Sequence, residues 1–325
     1  MFARSLCLSV AGLLIAGSVT NAADPVTLRF NAIEPPQALS SQMFKRWIDK
    51  VNAEAKGKFS IQFFPGGALG RNPRAQLELV MGGVADMAFG FPFLTPGKFP
   101  DDLVTALPLV IRNAHEGTYA HWRLYERKML RGWNDVVPIM LCTPAPVVLL
   151  STKPIANLAA LKNKRASATT PMAARIMRSM GAAPVSGFNF SNTAEAMSRG
   201  VIDMDTIGFV PAKIFKQFDV AKHALDLPLG ASPCAVFMNK KVYDALSADA
   251  RAVLDRNRGW TIGKMWADAI DGAEAKLRTA WDAKSGNVLT RLNAAQIAKA
   301  EQIVQPVIDE WLKGDPKRPA LAEAL

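Results

Sequence analysis

The stretch VTLRFNAIEPPQALSSQMFKRWIDKVNAEAKGKFSIQFFPGGALGRNPRAQLELVMGGVADMAF, Val26–Phe89, decides the fold. Val26, Leu28 and Phe30 alternate on one side of an extended segment, the period of a half-buried strand. Glu34-Pro35-Pro36 ends that strand, because proline has no N–H to give a ladder. Ser40 or Ser41 then caps a helix in which Met43, Phe44, Trp47, Ile48 and Val51 recur at three- and four-residue spacing, and Gly57 stops it. Phe59, Ile61 and Phe63 form a second strand, closed by Pro65-Gly66-Gly67. A second helix carries Leu77, Val80 and Met81 to Gly82-Gly83, and Asp86–Phe89 reads as a short buried strand. This alternation builds a mostly parallel sheet with helices on its faces.

Upstream, Arg4, the apolar run Leu6–Ala16 and the small residues up to Ala22 read as a secretory signal. Cleavage is expected after Ala22 or Ala23. The apolar run is short for a membrane span, and no later stretch is long enough. Downstream, Pro92–Leu109 is a proline-rich connector whose Phe91, Phe93 and Phe99 either line a cleft or pin a core under a long loop. A helix over Ala114–Leu130, a strand at Val136–Leu141 and an extended run at Pro144–Ser151 follow. A second α/β unit begins at Asn157–Lys162. It continues through a helix near Met172–Met180, the pair Pro184-Val185, a helix from Thr193 to Ser198 and a strand at Val201–Ile207. Val220–Leu227 and Ala235–Asn239 read as strands, Lys241–Ala283 as helical, and Leu292–Leu312 as a last helix capped near Asn293. No internal repeat stands out. The expected division is a signal peptide (1–22), an α/β lobe one (23–143), an α/β lobe two (144–230), and a crossing strand with C-terminal helices that pack on both lobes (231–325). A mature chain of about 300 residues suits two lobes.

The net charge of +11 is spread along helices, which suits an anionic ligand or an acidic partner surface. Nucleic-acid binding would call for a basic patch with interleaved aromatics, and none is present. Cys142 and Cys234 either pair in an oxidising compartment or stay free thiols; sequence gives no distance. His115, His121 and His223 lack metal-site spacing. There is no nucleophile elbow and no Walker loop, and Gly66–Gly70 reads as a tight turn. The sequence therefore points away from an enzyme and calls for no cofactor and no metal. Lys162, Lys164 and Arg165 precede a small polar segment, Ala166–Thr170. Ligands in open α/β sheets sit at the carboxyl ends of strands, and an arginine there grips a carboxylate with both N–H arms. Taken alone, the cluster reads first as a solvated basic patch. Ser191 and Asn192 open a helix, whose amides favour an anion; simple capping is the plainer reading.

At these residues the chain resembles a known family, the periplasmic solute-binding proteins of tripartite ATP-independent periplasmic (TRAP) transporters, the DctP-like family. PGGALG (Pro65–Gly70) with LELVMGGVADMAF (Leu77–Phe89) is similar to the family's Pro-Gly…Leu-Gly turn, helix and Gly-x-x-Asp-Met-Ala. ALPLVIRNAHEG (Ala106–Gly117), NLAALKNKR (Asn157–Arg165), MGAAPV (Met180–Val185), AMSRGVID (Ala196–Asp203) and VFMNKKVYDALSADARAVLD (Val236–Asp255) resemble further family elements in order and spacing. The resemblance implies a two-lobed α/β fold of the periplasmic binding protein kind (type II-like), with long helices bracing both lobes. It also implies a receptor that holds a small organic carboxylate in a closing cleft and hands it to membrane permease subunits.

The family's carboxylate-pairing arginine carries over to Arg165, with Lys164 as the competing candidate. Thr206 and Phe209 on lobe two and Gln37, Phe89 and Phe91 on lobe one are expected to complete the enclosure. Asn192 stands where the family has Gln or Glu, Met204 replaces a glycine, and Ile207 occupies a position polar in relatives. These departures imply a pocket more apolar than in sugar-acid binders. A monomer with no nucleic-acid partner is expected. The alternatives are a binding protein of an ABC-type importer and, further off, a secreted enzyme.

Overall fold

The computed structural model describes residues 26–325. The signal peptide and its cleavage point lie outside the described residues. The first half of the chain runs β1 (Val26–Asn31), α1 (Leu39–Ala55), β2 (Phe59–Phe64), α2 (Gln76–Met81), β3 (Met87–Gly90), α3 (Ala114–Glu126), β4 (Val136–Cys142) and β5 (Val148–Ser151). Next come β6 (Arg165–Ser167), α4 (Pro171–Ser179), β7 (Ala183–Val185), α5 (Thr193–Ser198), β8 (Met204–Ile207), α6 (Phe209–Ile214), β9 (His223–Asp226) and β10 (Cys234–Asn239). The chain closes with α7 (Lys240–Ala245), α8 (Ala248–Asn257), α9 (Trp260–Asp282), β11 (Val288–Arg291), α10 (Ala294–Lys313) and α11 (Arg318–Glu323).

Two sheets form, one per lobe, in the orders β2-β1-β3-β10-β4 and β7-β6-β8-β5-β9-β11. Each starts with three parallel strands built from a β-α-β-α-β run and then adds two strands in antiparallel pairing; the second sheet also carries β11 at its edge, parallel to β9. The lobes thus repeat one plan, which residue patterning does not reveal. Its visible trace is Val84-Ala85-Asp86-Met87 against Val201-Ile202-Asp203-Met204. Met87 pairs with Phe30 and Met204 with Ala166, so the two segments occupy the same register in their sheets.

The chain passes between the sheets from β4 to β5 and back from β9 to β10. The two crossings are tied together, with Val147 N–H donating to Gly230 O (2.8 Å) and Leu229 N–H to Val147 O (3.2 Å). Gly230 sits at φ +91°, and a Cβ there would lie 2.1 Å from the carbonyl oxygen of Ala106, so no other residue fits. Cys142 and Cys234 face each other on β4 and β10 with Cα atoms 4.9 Å apart and form a disulfide. Strand register, which the spacing of the cysteines does not encode, brings them together.

The helical run after β10 is three helices. Ser247 caps α8 on the Ala250 N–H, and Gly259 at φ +67° turns the chain into α9 where a Cβ would strike the Trp122 ring at 2.4 Å. Helix α9 packs on α1, α3 and β4 of lobe one and on α6 of lobe two, so it braces both. Asn293 and Gln296 form a capping box at the start of α10, which packs against α4. Strand β11 and helix α11 have no sequence signal of their own. Of the connector aromatics, Phe99 is a core pin stacked on Trp133 and Phe237, while Phe91 and Phe93 face the cleft.

A ligand cleft between the lobes

The carboxyl ends of the parallel strands of both sheets, the two crossings and the middle of α9 meet around one cavity of about 100 Å³. That is the scale of a site for one six-membered ring, since a cavity of roughly 150 Å³ takes up benzene. Phe89 and Phe91 supply its lobe-one wall and Phe190 and Phe215 its lobe-two wall. The rings form a chain across the cleft. Phe89 and Phe91 centroids are 5.5 Å apart, Phe91 and Phe190 5.8 Å, and Phe190 and Phe215 5.5 Å in a stacked pair. Such spacings are the range in which aromatic edges and faces attract. Pro144, Pro211, Ile214 and Ile270 fill much of the remaining wall, and Cys234 brings the disulfide to its rim.

The polar groups in this apolar setting are few. Burial pushes the Glu34 carboxyl up to about 7. Its Oε2, the Ser40 hydroxyl and the Trp266 indole nitrogen are buried without a hydrogen-bond partner. Glu274 also lines the cavity, but its oxygens accept from the backbone N–H groups of Phe209 (2.9 Å) and Val210 (3.0 Å) at the start of α6. Thr206, Phe190 and Ser232 continue into a smaller space with Thr169 and Thr170. Thr169 and Phe190 in turn border a third space with Asn72, Arg74 and Asn189. Arg74 therefore stands on lobe one opposite the polar residues of lobe two. Asn72 Oδ1 accepts its backbone N–H (3.0 Å), and its guanidinium pairs with no carboxylate among the described residues. Arg175 and Arg178 border the open basin beyond it.

Phe89, Phe91 and Thr206 line the cavity. Arg165 is not brought there. It opens β6, and the strand runs from it toward Ala168–Thr170, so the cleft lies at the other end. Arg165 Nε donates to Asp203 Oδ2 (3.1 Å) and Nη2 to Asp203 Oδ1 (3.0 Å), which holds the Asp203 carboxyl below the usual range. In lobe one Arg29 treats Asp86 the same way, Nε to Oδ2 at 3.0 Å and Nη2 to Oδ1 at 3.2 Å. Both aspartates also accept the backbone N–H of their arginine and donate their own N–H to its carbonyl. The pair is a strand tie present in each lobe, which accounts for the basic cluster without a ligand. Lys164, beside it, lines no part of the cleft cavities. Phe209 is fully buried behind the cavity against Phe218 and Trp281. Gln37 is exposed, its carbonyl accepting from the Gln42 side chain, and Asn192 accepts the Asn189 N–H. Glu34, Ser40, Arg74, Phe190 and Trp266 are the cleft residues that periodicity hides. Glu34 reads as part of a strand breaker and Trp266 as a helix core position, and only their convergence distinguishes them.

The profile of bacterial extracellular solute-binding protein family 7, DctP, matches residues 30–315. The outer membrane transporter protein TsaT of Comamonas testosteroni is 27% identical over 320 residues, covering 96% of this chain and 92% of that protein. A TRAP solute binding protein of Rhodoferax ferrireducens, solved with copurified benzoate, superposes with a TM-score of 0.84 at 26% identity, covering 92% of this chain and 96% of that chain. A TRAP periplasmic solute binding protein of Bordetella bronchiseptica, solved with bound mandelate, superposes with a TM-score of 0.82 at 21% identity over 92% and 97% of the two chains.

The chain belongs to the DctP family of bacterial extracellular solute-binding proteins. It is a two-lobed TRAP solute receptor, neither an enzyme nor the receptor of an ABC importer. Receptors of this kind bind small organic acids and work with membrane permease components. No helix among the described residues is long and apolar enough to cross a membrane.

Proposed function

We propose that the ligand is a small aromatic carboxylate, its ring between the phenylalanines of the two lobes and its acid group toward Arg74, Thr169 and Thr170. The observation that carries this reading is the ring-sized cavity walled by Phe89, Phe91, Phe190 and Phe215. A sugar acid carries more hydroxyls than the few unpaired polar atoms of the cavity can satisfy, and each one left over would cost roughly 1–3 kcal/mol. An aromatic acid matches both ends, and the benzoate and mandelate held by the relatives are of that class.

Phe89, Phe91 and Thr206 make contact with the ligand in this reading. Phe209 shapes the wall from behind, Gln37 and Asn192 stand outside the cavity, and Arg74 takes the anion in place of Arg165 and Lys164. Walls from both lobes touch one ligand, so binding favours the closed arrangement by the affinity that the open one lacks. The receptor is exported, cleaved after Ala22 or Ala23, and acts as a monomer that delivers its acid to the permease subunits. A thermal-shift panel of benzoate, mandelate, galacturonate and succinate tests the ligand class. Aromatic acids raise Tm in a concentration-dependent way and the other two leave it unchanged. A shift with galacturonate or succinate alone would overturn the reading.

A further inference from the structure

Three buried polar atoms without partners converge on one apolar cavity: Glu34 Oε2, Ser40 Oγ and Trp266 Nε1. Their residues are at least nine-tenths buried, with exposures of 8%, 8% and 4%. Buried polar groups in folded proteins are almost always satisfied, so three in one place mark a missing partner. Removing such a group from water without a hydrogen bond costs free energy that a ligand atom in the cavity would recover.

Resting on the aromatic-acid reading, we infer that Glu34, Ser40 and Trp266 form a subsite for a neutral hydrogen-bonding substituent on the ring, a hydroxyl first of all. The selected class is then hydroxylated aromatic acids rather than unsubstituted ones. The donor and acceptor inventory supports a hydroxyl. An indole nitrogen only donates, a serine hydroxyl does both, and a carboxyl oxygen accepts. A hydroxyl has one proton to give Glu34 and two lone pairs for Trp266 and Ser40. The ligand's own carboxylate is a poor occupant. It would sit in an apolar cavity that also holds Glu34 and Glu274, with no cation lining the space. Arg74 borders the adjoining space instead, so the acid and the substituent are drawn to different parts of the cleft. The elevated Glu34 pKa reflects the same burial.

Two of the three residues come from one short stretch. Glu34 follows β1 and Ser40 opens α1, while Trp266 reaches in from α9. The Glu34 backbone is anchored, its carbonyl accepting from the Gly66 N–H (2.7 Å) and the Ser41 hydroxyl (3.1 Å). The backbone at Glu34 is thus held in place, while its Oε2 has no partner.

The test is calorimetric titration of benzoate, 3-hydroxybenzoate and 4-hydroxybenzoate into the wild type, Ser40→Ala and Glu34→Leu, with melting curves to confirm folding. The wild type should bind at least one hydroxybenzoate about tenfold or more tighter than benzoate, an energy of roughly one to two hydrogen bonds. Glu34→Leu should bring that ratio to within about twofold, and Ser40→Ala should lower it part of the way. Benzoate binding with no preference for either hydroxybenzoate overturns the subsite and leaves the aromatic-acid reading standing. So does a preference that survives Glu34→Leu or, should that variant not fold, Ser40→Ala. Absence of binding by all three acids overturns the aromatic-acid reading, and the subsite with it.

Discussion

In lobe one Arg29 grips Asp86 across β1 and β3; in lobe two Arg165 grips Asp203 across β6 and β8 with the same atoms. Even the exposures agree, 41% and 11% for the first pair and 45% and 12% for the second. Five residues further along each leading strand the likeness ends. Glu34 stands on lobe one and Thr170 on lobe two, and three residues beyond each aspartate Phe89 faces Thr206 across the cleft. The repeated pairs lie at the amino ends of the strands and the divergent ones at the carboxyl ends, where an open α/β sheet binds its ligand. What the two halves share is scaffold; ligand chemistry lies where they differ. By that criterion Arg165 belongs with Arg29, and Arg74, which has no counterpart pair, belongs to the cleft.

The sharpest way to break this comparison is to exchange the fates of Arg74 and Arg165. Arg74 is exposed in the ligand-free chain, so Arg74→Ala should weaken binding of an aromatic acid by about 1.5–3 kcal/mol, the range for hydrogen bonds to a charged group. Arg165→Ala should leave the dissociation constant within about threefold. Titration calorimetry on both variants decides it. Loss of binding in Arg165→Ala with Arg74→Ala unaffected would return the anion to the basic cluster and undo the division between repeated and divergent residues.

The order of β1 to β3 is legible because each strand and helix carries its own period and stop signal, from Val26 to Phe89. The corresponding run in lobe two is legible too, but its leading strand is three residues long. Nothing in LKNKR says that the strand starts at Arg165 rather than ending there. The basic cluster lies at the amino end of β6, away from the cleft. Which end faces the cleft depends on pairing with β8, a long-range fact. Strand β11 was missed for the same reason: four residues added to a sheet edge leave no period to read. Phe89 and Thr206 are legible as candidates because they sit near the carboxyl ends of recognisable buried strands, and Phe91 because it directly follows one. Glu34 was hidden by the prolines after it, which explain the break in the chain and leave the carboxylate unexplained.

Each lobe also buries a carboxyl that burial pushes into the range between pH 5 and 8, a likeness that pH can probe. Burial pushes Glu34 up to about 7 in lobe one and Asp205, despite its bond from Gln217 Nε2 (2.7 Å), up to about 6 in lobe two. A carboxyl with a raised folded-state value binds more protons folded than unfolded. Its stabilising contribution is present when both states are protonated and falls as pH rises through the window between the two values. For Glu34 that window runs from 4.5 to about 7, and for Asp205 from 3.8 to about 6. Together they should make the ligand-free protein less stable at pH 7.5 than near pH 5, by about 2 kcal/mol from Glu34 and about 1 kcal/mol from Asp205. Asp203, whose value is lowered by Arg165, works in the opposite sense and loses its contribution as pH falls below the usual carboxylate range. Denaturant midpoints across pH 4 to 8 measure the slope, and Glu34→Gln should flatten its upper half. An unchanged slope in Glu34→Gln would show that the carboxyl is solvated in solution and remove it from the buried set.

The smallest effect is the most specific to the repeat. If the two arginine–aspartate pairs are the same strand tie, Arg29→Ala and Arg165→Ala should cost nearly the same stability. Each guanidinium is more than a third exposed, so solvent screens the ion pair and the charge attraction contributes little. Each aspartate, however, is largely buried and keeps its backbone N–H bond in the variant, which limits the penalty for the abandoned carboxylate. We expect a small and equal loss from either substitution, read as a shift in the denaturant midpoint at constant slope. The sites lie in different sheets and share no partner, so the double variant should cost the sum. Two unequal losses would mean that one pair carries a role the other lacks. If the larger loss fell on Arg165 and shrank when an aromatic acid was added, the residue would be linked to the cleft after all; equal and additive losses, untouched by ligand, are what a repeated strand tie demands.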